Sequence, residues 1–257
     1  MSTGVPAPLF SLPPPDADAP HLSVVVPMHN EAGNAGRLVR EIAETLSGLK
    51  IEIVVVDDAS TDATADELAA AKADAPLRVL RHGRNAGQSR AVRTGILAAR
   101  APVIATLDGD GQNLPSDIPA LYARLTREGA PPLLAMVAGE RQGRQDARAK
   151  LVASRYANNI RKGLLRDDAL DTGCGLKVFR REAFLRLPYF DHLHRYLPAL
   201  MRREGFTVEF SPVAHRPRVA GVSKYTNLQR GAVAIRDLIG VTWLLSRARQ
   251  PETIEEV

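Results

Sequence analysis

Two carboxylates, Asp108 and Asp110, stand where a short β-rich apolar run breaks off in Val103-Ile-Ala-Thr-Leu-Asp108-Gly-Asp110-Gly-Gln112-Asn-Leu-Pro115. The run reads as a buried parallel strand bounded by Pro102 and Gly109, which puts both carboxylates at its carboxyl end. That edge is where open α/β sheets take their ligands. Carboxylates this close repel each other and gain most from sharing a hard divalent cation, whose preferred ligands are oxygens. Gln112 adds a neutral carbonyl oxygen, and the small Gly109 and Gly111 leave room for a phosphate to approach the backbone. Mg2+ or Mn2+ in such a setting binds one or two carboxylates and completes its shell with water and substrate phosphate. The chemistry on offer is a metal–diphosphate site. A lone Asp-x-Asp is more often a solvated turn, so the elements that position the pair decide between the two.

Those elements alternate. Leu22–Val26 reads as a first strand closed by Pro27-Met-His29-Asn-Glu31, followed by a helix over about 32–47. Ile51–Val56 reads as a second buried strand ending in Asp57-Asp58-Ala-Ser60-Thr-Asp62, where Ser60 or Thr61 can cap an alanine-rich helix running to about Ala73. Leu77–Leu80 is a third strand, and Gln88–Arg100 a third helix entered through Asn85-Ala-Gly87. The Asp108 run is the fourth strand. Strands and helices in this order imply right-handed βαβ units and a mostly parallel α/β sheet flanked by helices. Glu31, Asp57, Asp58, Asp108 and Asp110 then gather on one edge of it. Each cluster alone is ordinary turn chemistry; three clusters on one edge point to a site. No Gly-x-Gly-x-x-Gly follows the first strand and there is no Walker loop, against a dinucleotide fold or an NTPase.

Beyond Gly139 the alternation weakens. A helix is expected over 116–127, a strand over 132–138, a polar segment over 140–147 and a helix over 149–162. Short strands are expected at 176–179, 207–210 and 212–216, with a helix near 194–204. A basic loop, Arg216-Pro-Arg218-Val-Ala-Gly221-Val-Ser-Lys224-Tyr225, precedes a last helix over about 226–246. That helix carries Leu228, Ile235, Leu238, Ile239 and Leu245 on one side and the only tryptophan, Trp243. It fits a membrane-surface helix and a core-packed helix equally well.

Charge divides along the same line. Residues 1–139 hold 12 Lys/Arg against 16 Asp/Glu, net −4, and residues 140–257 hold 22 against 13, net +9. Only six of the 34 basic residues are lysine, and arginine is the better bidentate ligand for phosphate. An acidic half fit for a cation is followed by a basic half fit for anions. Few aromatics accompany the basic residues and no nucleic-acid motif is present, so lipid phosphate and an anionic membrane surface are the expected partners rather than nucleic acid. With Cys174 the only cysteine, no internal disulfide can form. No apolar run is long enough to span a bilayer and no signal-peptide pattern opens the chain, so a cytoplasmic protein, peripheral at the inner face of the cell membrane, is expected.

The ordered set Val-Val-Val-Pro27-Met-His-Asn-Glu31, Val-Asp57-Asp-Ala-Ser-Thr-Asp62, Asn85-Ala-Gly87 and Asp108-Gly-Asp110-Gly-Gln112 resembles family 2 glycosyltransferases of the GT-A fold. Within that family, Asp171-Thr-Gly-Cys-Gly175 and Gly221-Val-Ser-Lys224-Tyr225 are similar to the polyprenol-phosphate sugar transferases, such as dolichol-phosphate mannose synthases and bacterial undecaprenyl-phosphate relatives. The resemblance covers about residues 22–246. Residues 1–20, with six prolines and little periodicity, are expected to be a disordered arm, ahead of a GT-A domain at 21–225 (nucleotide half about 21–139, acceptor half about 140–225), an amphipathic helix at 226–249 and a tail at 250–257. The resemblance also implies roles. Pro27, His29, Glu31, Asp57, Asp58 and Asp108 would bind the nucleotide sugar, and Asp108, Asp110 and Gln112 would hold Mg2+ or Mn2+ on its diphosphate. Arg218 and Lys224 would close over that diphosphate, with Asp110 completing the catalytic set. Arg141, Lys150 and Ser154 would hold the acceptor phosphate.

The resemblance implies an inverting transfer of a hexose from a nucleotide sugar, GDP-mannose or a UDP-sugar, to a polyprenol phosphate, with membrane contact made directly or through an anchoring partner. Such an acceptor is already an anion and can attack the anomeric carbon without a base, whereas a sugar hydroxyl needs one. Asp171 is the one carboxylate that offers itself as a base, although an aspartate before glycine is more often a turn residue. His192, His194 and His215 read as structural or surface groups. Two other functions stay open: transfer to a saccharide hydroxyl, and a non-catalytic sugar-nucleotide binding module.

Overall fold

A computed structural model describes residues 18–141, 163–165, 167–169, 171–217 and 227–249, the side chains of 227–232 excepted. The expected arm up to residue 17, the expected helix over 149–162, the basic loop from residue 218 and the tail lie outside the described residues. The strands are β1 (Leu22–Met28), β2 (Ile51–Asp57), β3 (Leu77–Arg81), β4 (Val103–Thr106), β5 (Leu134–Arg141), β6 (Lys177–Arg180) and β7 (Thr207–Val213). The helices are α1 (Ala35–Thr45), α2 (Thr64–Ala71), α3 (Gln88–Ala98), α4 (Ile118–Thr126), α5 (Arg181–Leu185), α6 (Leu197–Arg203) and α7 (Asn227–Ser246). Single 3-10 turns at Pro115–Asp117 and Leu193–Arg195 lead towards α4 and α6.

The strands form one sheet in the order β3-β2-β1-β4-β6-β5-β7. β1 to β4 run parallel, as their near-continuous apolar runs require when both faces are covered. The chain steps outward from β1 to β2 and β3, then returns to lay β4 on the other side of β1. The point where strand order reverses leaves a crevice at the carboxyl ends of β1 and β4. β6 runs antiparallel to both β4 and β5, with Lys177 opposite Thr106 and Ala138. That reversal delivers the start of β6, and the Asp171–Gly175 turn before it, to the same crevice.

Side chains alternate across the sheet. Val24, Val26, Ile53 and Val55 pack under Leu38 and Ile42 of α1, Leu68 of α2 and Leu121 of α4. Val25, Val54 and Ile104 face Ile96 of α3, Phe184 of α5, Leu200 of α6 and Val241 of α7. Two expected strands, 207–210 and 212–216, are one strand, β7. Pro212 fits because β7 lies at the sheet edge, where its missing N–H breaks no ladder. The expected helix near 194–204 is split into a 3-10 turn and α6, and α5 was not anticipated.

The last helix divides differently from the expected single apolar side. Leu238, Leu244 and Leu245 pack against the second core cluster. Ile235, Ile239 and Trp243, one turn apart along the opposite face, are 63%, 66% and 62% exposed.

A buried ion network closes the far end of the parallel sheet. Glu52, 2% exposed, accepts hydrogen bonds from Ser23 Oγ (2.6 Å), the Arg100 backbone N–H (2.6 Å), Arg78 Nη1 (2.7 Å) and Arg100 Nε (3.1 Å). Burial alone would raise its pKa, but these donors hold it below the ordinary value of 4.5. Its folded pKa therefore lies below its unfolded one. The stability it contributes is present above about pH 4.5 and is lost as pH falls through the depressed folded value. Glu52→Gln should cost about 3 kcal/mol near neutral pH, because donors built around a charge are left under-satisfied. Urea unfolding should show that deficit shrinking as pH drops below 4.

Candidate functional site

Loops after β1 and β2 are knitted together before they meet the site. Asn30 N–H donates to Ser60 Oγ (2.9 Å), Thr61 N–H to Asn30 Oδ1 (2.8 Å) and Glu31 N–H to Thr64 Oγ1 (2.9 Å). Neither Ser60 nor Thr61 caps α2. Asp62 takes that part, accepting from Thr64 N–H (3.0 Å), while its other oxygen takes Ala32 N–H (3.1 Å).

Of the acidic pair ending β2, the two members do different things. Asp58 is consumed structurally: it accepts Ala86 and Gly87 N–H at 2.8 Å each and lies 2.7 Å from His82 Nδ1, fixing the turn into α3. Asp57 is 1% exposed, and its Oδ1 accepts Ser60 N–H at 2.8 Å. Its Oδ2 lies 3.4 Å from Arg81 Nε and makes no hydrogen bond. A buried carboxylate oxygen without a hydrogen bond is costly unless a ligand supplies a donor. Asp57 therefore fits the nucleoside role, and Asp58 supports the wall beside it.

The Asp108–Gln112 loop is folded by its own side chains. Asp110 Oδ1 accepts Gln112 N–H (3.0 Å), and Asp108 Oδ1 accepts Gln88 Nε2 (2.7 Å) from the first turn of α3. Burial, then repulsion from Asp110, pushes the Asp108 carboxyl above the ordinary 3.8, while Lys177 and Arg141 oppose the shift. Gln112 turns its amide nitrogen to Arg216 O (3.4 Å), which leaves its oxygen as an acceptor. Among the described residues no three His, Cys, Asp or Glu side chains form a metal cage. Two carboxylates and an amide oxygen instead suit a hard cation that shares its shell with phosphate oxygens. The two glycines do not serve as expected. A Cβ at Gly109 would come within 2.8 Å of Pro27 O and Met28 Cγ, and one at Gly111 within 3.2 Å of Arg37 Nη2. They admit the protein's own packing rather than a phosphate, and Gly111 also needs its φ of +70°.

Beneath Asp108 opens a recess lined by Pro27, Gln88, Asp108, Gly175, Lys177 and His194, among others. Of these, Gln88 and Lys177 were given no role from the sequence. Lys177 is 3% exposed and donates to Cys174 O; burial lowers its pKa against the pull of Cys174, Asp108 and Asp171. His194, expected to be structural or on the surface, faces this recess with Nδ1 2.7 Å from Ser89 Oγ. Burial, then nearby cations led by Arg195, holds its pKa well below 6.5, so the ring is neutral. Gly175 is fixed by contact, since an added Cβ would overlap the Asp108 carboxylate, 2.6 Å from even the farther oxygen.

Arg141, at the end of β5, is bound by Asp171 through both oxygens: Nε to Oδ2 at 2.5 Å and Nη2 to Oδ1 at 2.8 Å. Asp171 also accepts Gly173 N–H at 3.1 Å. Hydrogen bonding to Asp171 raises the Arg141 pKa, and Asp171 is committed to a cation rather than poised as a base. Burial raises the Cys174 thiol, which points into the protein toward Leu176 O. His215 Nε2 lies 3.4 Å from Gln112 Nε2, and His192 Nδ1 lies 2.8 Å from Asp237 Oδ2 on α7. Lys150, Ser154, Arg218 and Lys224 lie outside the described residues.

The model of the family "Glycosyl transferase family 2" matches residues 23–187. A dodecaprenyl-phosphate galacturonate synthase of Rhizobium johnstonii is 32% identical over 237 residues, covering 90% of this chain and 69% of the relative. An undecaprenyl-phosphate 4-deoxy-4-formamido-L-arabinose transferase of an Enterobacter species is 32% identical over 209 residues, covering 80% of this chain and 62% of the relative. Among solved structures, mannosyl-3-phosphoglycerate synthase from Rubrobacter xylanophilus superposes with a TM-score of 0.68 at 18% identity, covering 92% of this chain and 78% of that one. Glucosyl-3-phosphoglycerate synthase from Mycobacterium tuberculosis, in complex with Mn2+, UDP and phosphoglyceric acid, gives 0.64 at 20% identity, covering 91% and 80%. At these identities the solved structures establish a shared fold.

Gly175→Ala should displace the Asp108 carboxylate and weaken Mn2+–nucleotide binding by about tenfold or more, as outer-shell changes at metal sites do. Isothermal titration with MnCl2 and UDP or GDP, beside a circular dichroism spectrum, checks that the loss comes without unfolding.

Proposed function

The chain belongs to glycosyl transferase family 2, and on that footing we propose that it transfers a hexose from a nucleotide sugar to a polyprenol phosphate at a membrane surface. The observation that carries this reading is the crevice at the β1/β4 reversal. It joins the Asp57 oxygen that lacks a hydrogen bond, the Asp108–Asp110 pair and the buried cation Lys177. A nucleoside hydrogen-bond donor, a divalent cation on a diphosphate and a sugar fit there in that order. The polyprenyl phosphates in the names of both relatives support the acceptor class.

In the reaction, an oxygen of the acceptor phosphate forms a bond to the anomeric carbon. The bond from that carbon to the β-phosphate oxygen breaks, and its electron pair leaves with the nucleoside diphosphate. One in-line displacement inverts the anomeric centre. A Mg2+ or Mn2+ held by Asp108, Asp110 and the Gln112 oxygen would neutralise the diphosphate and stabilise its departure. Asp57 orients the nucleoside, and Glu31, Pro27 and His29 line the approach. Lys177 adds positive charge beneath the donor, and neutral His194 adds none. Arg141, aligned by Asp171, meets the incoming phosphate; the family resemblance assigns Lys150 and Ser154 to that same phosphate and Arg218 and Lys224 to the diphosphate. The commitment of Asp171 to Arg141 favours an acceptor that arrives ionised over a saccharide hydroxyl that needs a base.

A polyprenol stays in the bilayer, so the catalytic domain must meet it there. Among the described residues no helix is long and apolar enough to cross a membrane. The exposed stripe of Ile235, Ile239 and Trp243 on α7 supports docking on an anionic bilayer. Residues 227–249 carry four arginines against one aspartate, and that aspartate, Asp237, is turned inward beside His192. Arg236, with a side chain 79% exposed, and the exposed Arg247 and Arg249 supply charge complementary to anionic headgroups.

With radiolabelled nucleotide sugar and undecaprenyl phosphate, label should pass into the organic phase. Asp110→Ala should cut that transfer by about a hundredfold or more without loss of fold. Label that moves only onto a soluble saccharide, or full transfer in excess EDTA, contradicts the reading.

Anionic vesicles should sediment the protein at low salt and release it as salt rises, because exposed charges are screened. Ile239→Ala with Trp243→Ala should weaken that sedimentation while leaving the melting temperature near native. Indifference to anionic vesicles at low salt would point to a membrane-anchoring partner instead.

A further inference from the structure

Arg216 opens the chain's basic loop, of which residues 216 and 217 are described. Its guanidinium grips Glu41 of α1 with both terminal nitrogens, at 2.9 Å and 2.7 Å. Its Nε donates to Gly111 O, and its backbone N–H donates to Gln112 O at 3.0 Å. Two consecutive peptide carbonyls of the Asp108–Asn113 loop therefore end on one residue. Around them, Asn113 and His215 form an isolated antiparallel bridge, and Ala214 N–H donates to Asp117 Oδ2 at 2.9 Å.

We propose that the Glu41–Arg216 pair is a positioning clamp that sets Asp110 for the cation–diphosphate and ties that loop to the start of the basic segment. The proposal rests on the reading of Asp108–Gln112 as the cation–diphosphate loop. Asp110 is placed by its hydrogen bond from the Gln112 N–H, so whatever fixes the 111–112 peptides fixes Asp110. Gly111, at a φ of +70°, reaches this turn without strain because it has no Cβ, so its contacts with neighbours decide which of its many accessible conformations is kept. Arg216 holds its carbonyl, and Arg37, hydrogen-bonded to Asn34 Oδ1 at 3.3 Å, packs beside it.

An ordinary surface ion pair would not serve this purpose, since exposed pairs contribute little and rearrange readily. This pair is bidentate, its side chains are only 26% and 29% exposed, and its partners lie 175 positions apart in the sequence. The geometry also needs arginine. A lysine keeps the charge but lacks the planar fork that reaches both Glu41 oxygens and the Gly111 carbonyl together. The clamp joins the acidic half of the chain to the basic half at the point where both address the diphosphate.

Arg216→Lys and Glu41→Gln test this, with MnCl2 and UDP or GDP as probes and binding read by calorimetry and by the Mn2+ electron paramagnetic resonance signal. Each variant should melt close to native without metal. Each should bind Mn2+–nucleotide about tenfold or more weakly, as outer-shell changes at metal sites do, with a changed Mn2+ signal. Turnover at saturating donor should fall more than KM rises, because Asp110 acts chiefly as charge develops on the leaving group. Native-like Mn2+–nucleotide affinity and signal in both variants would overturn the clamp while leaving the site reading intact. Lower melting temperatures with unchanged affinity per folded molecule would do the same, reducing the pair to a stability brace. Native protein that binds no Mn2+–nucleotide would overturn the site reading, and the clamp with it.

Discussion

Asp108 and Asp110 follow a strand whose four residues are all buried, and burial at the strand's end makes the Asp108 charge costly to hold. The surroundings show how the fold tolerates that. Gln88 and the Gln112 N–H each hold one carboxylate oxygen, and Lys177 and Arg141 offset part of the repulsion through space. None of this neutralises the pair completely, since the Asp108 carboxyl remains raised. A site built with its charge incompletely compensated gains most when a cation arrives, and with it the phosphates a cation attracts.

The topology explains why the compensating groups come from so far away in sequence. A parallel sheet alone could bring only the ends of β1, β2 and β4 to the crevice. Reversing one strand, β6, carries its first residue, Lys177, to the end of β4 and sets Gly175 against Asp108. The Asp171–Gly175 turn then holds Arg141 from the end of β5. Among the described residues, the Arg216–Glu41 pair and the pairs of Arg124 and Arg127 with Glu209 tie the second half of the chain to the first.

Much of the donor side was legible in the sequence because its signals are local. Apolar runs gave β1, β2 and β4, and the acidic residues that follow them must lie at strand ends. What a given acid does was not legible. Asp57 and Asp58 are neighbours of one type, yet Asp58 takes two backbone N–H groups and lies beside His82, while Asp57 keeps an oxygen without a hydrogen bond. The difference depends on where residues 82–87 return, which no local pattern encodes. Likewise Gly109 and Gly111 looked like room for a ligand, because a sequence records an absent side chain but not what occupies the space. Lys177 was hidden for a related reason: a lysine between apolar residues reads as a surface position until the strand beside it is known to be antiparallel.

The terminal helix shows how far composition can mislead about direction. Leu228, Ile235, Leu238, Ile239 and Leu245 read in the sequence as one apolar side, but the core takes only part of that set. The core takes Leu238, Val241, Leu244 and Leu245, while Ile235, Ile239 and Trp243 stay outside. His192 and Asp237, 2.8 Å apart, bring the turn before α6 against α7. His192 lies two residues from His194, which lines the donor recess. One short turn thus touches both the surface that would meet the bilayer and the pocket that would hold the donor. The packing of that turn would therefore bear on both proposed roles at once.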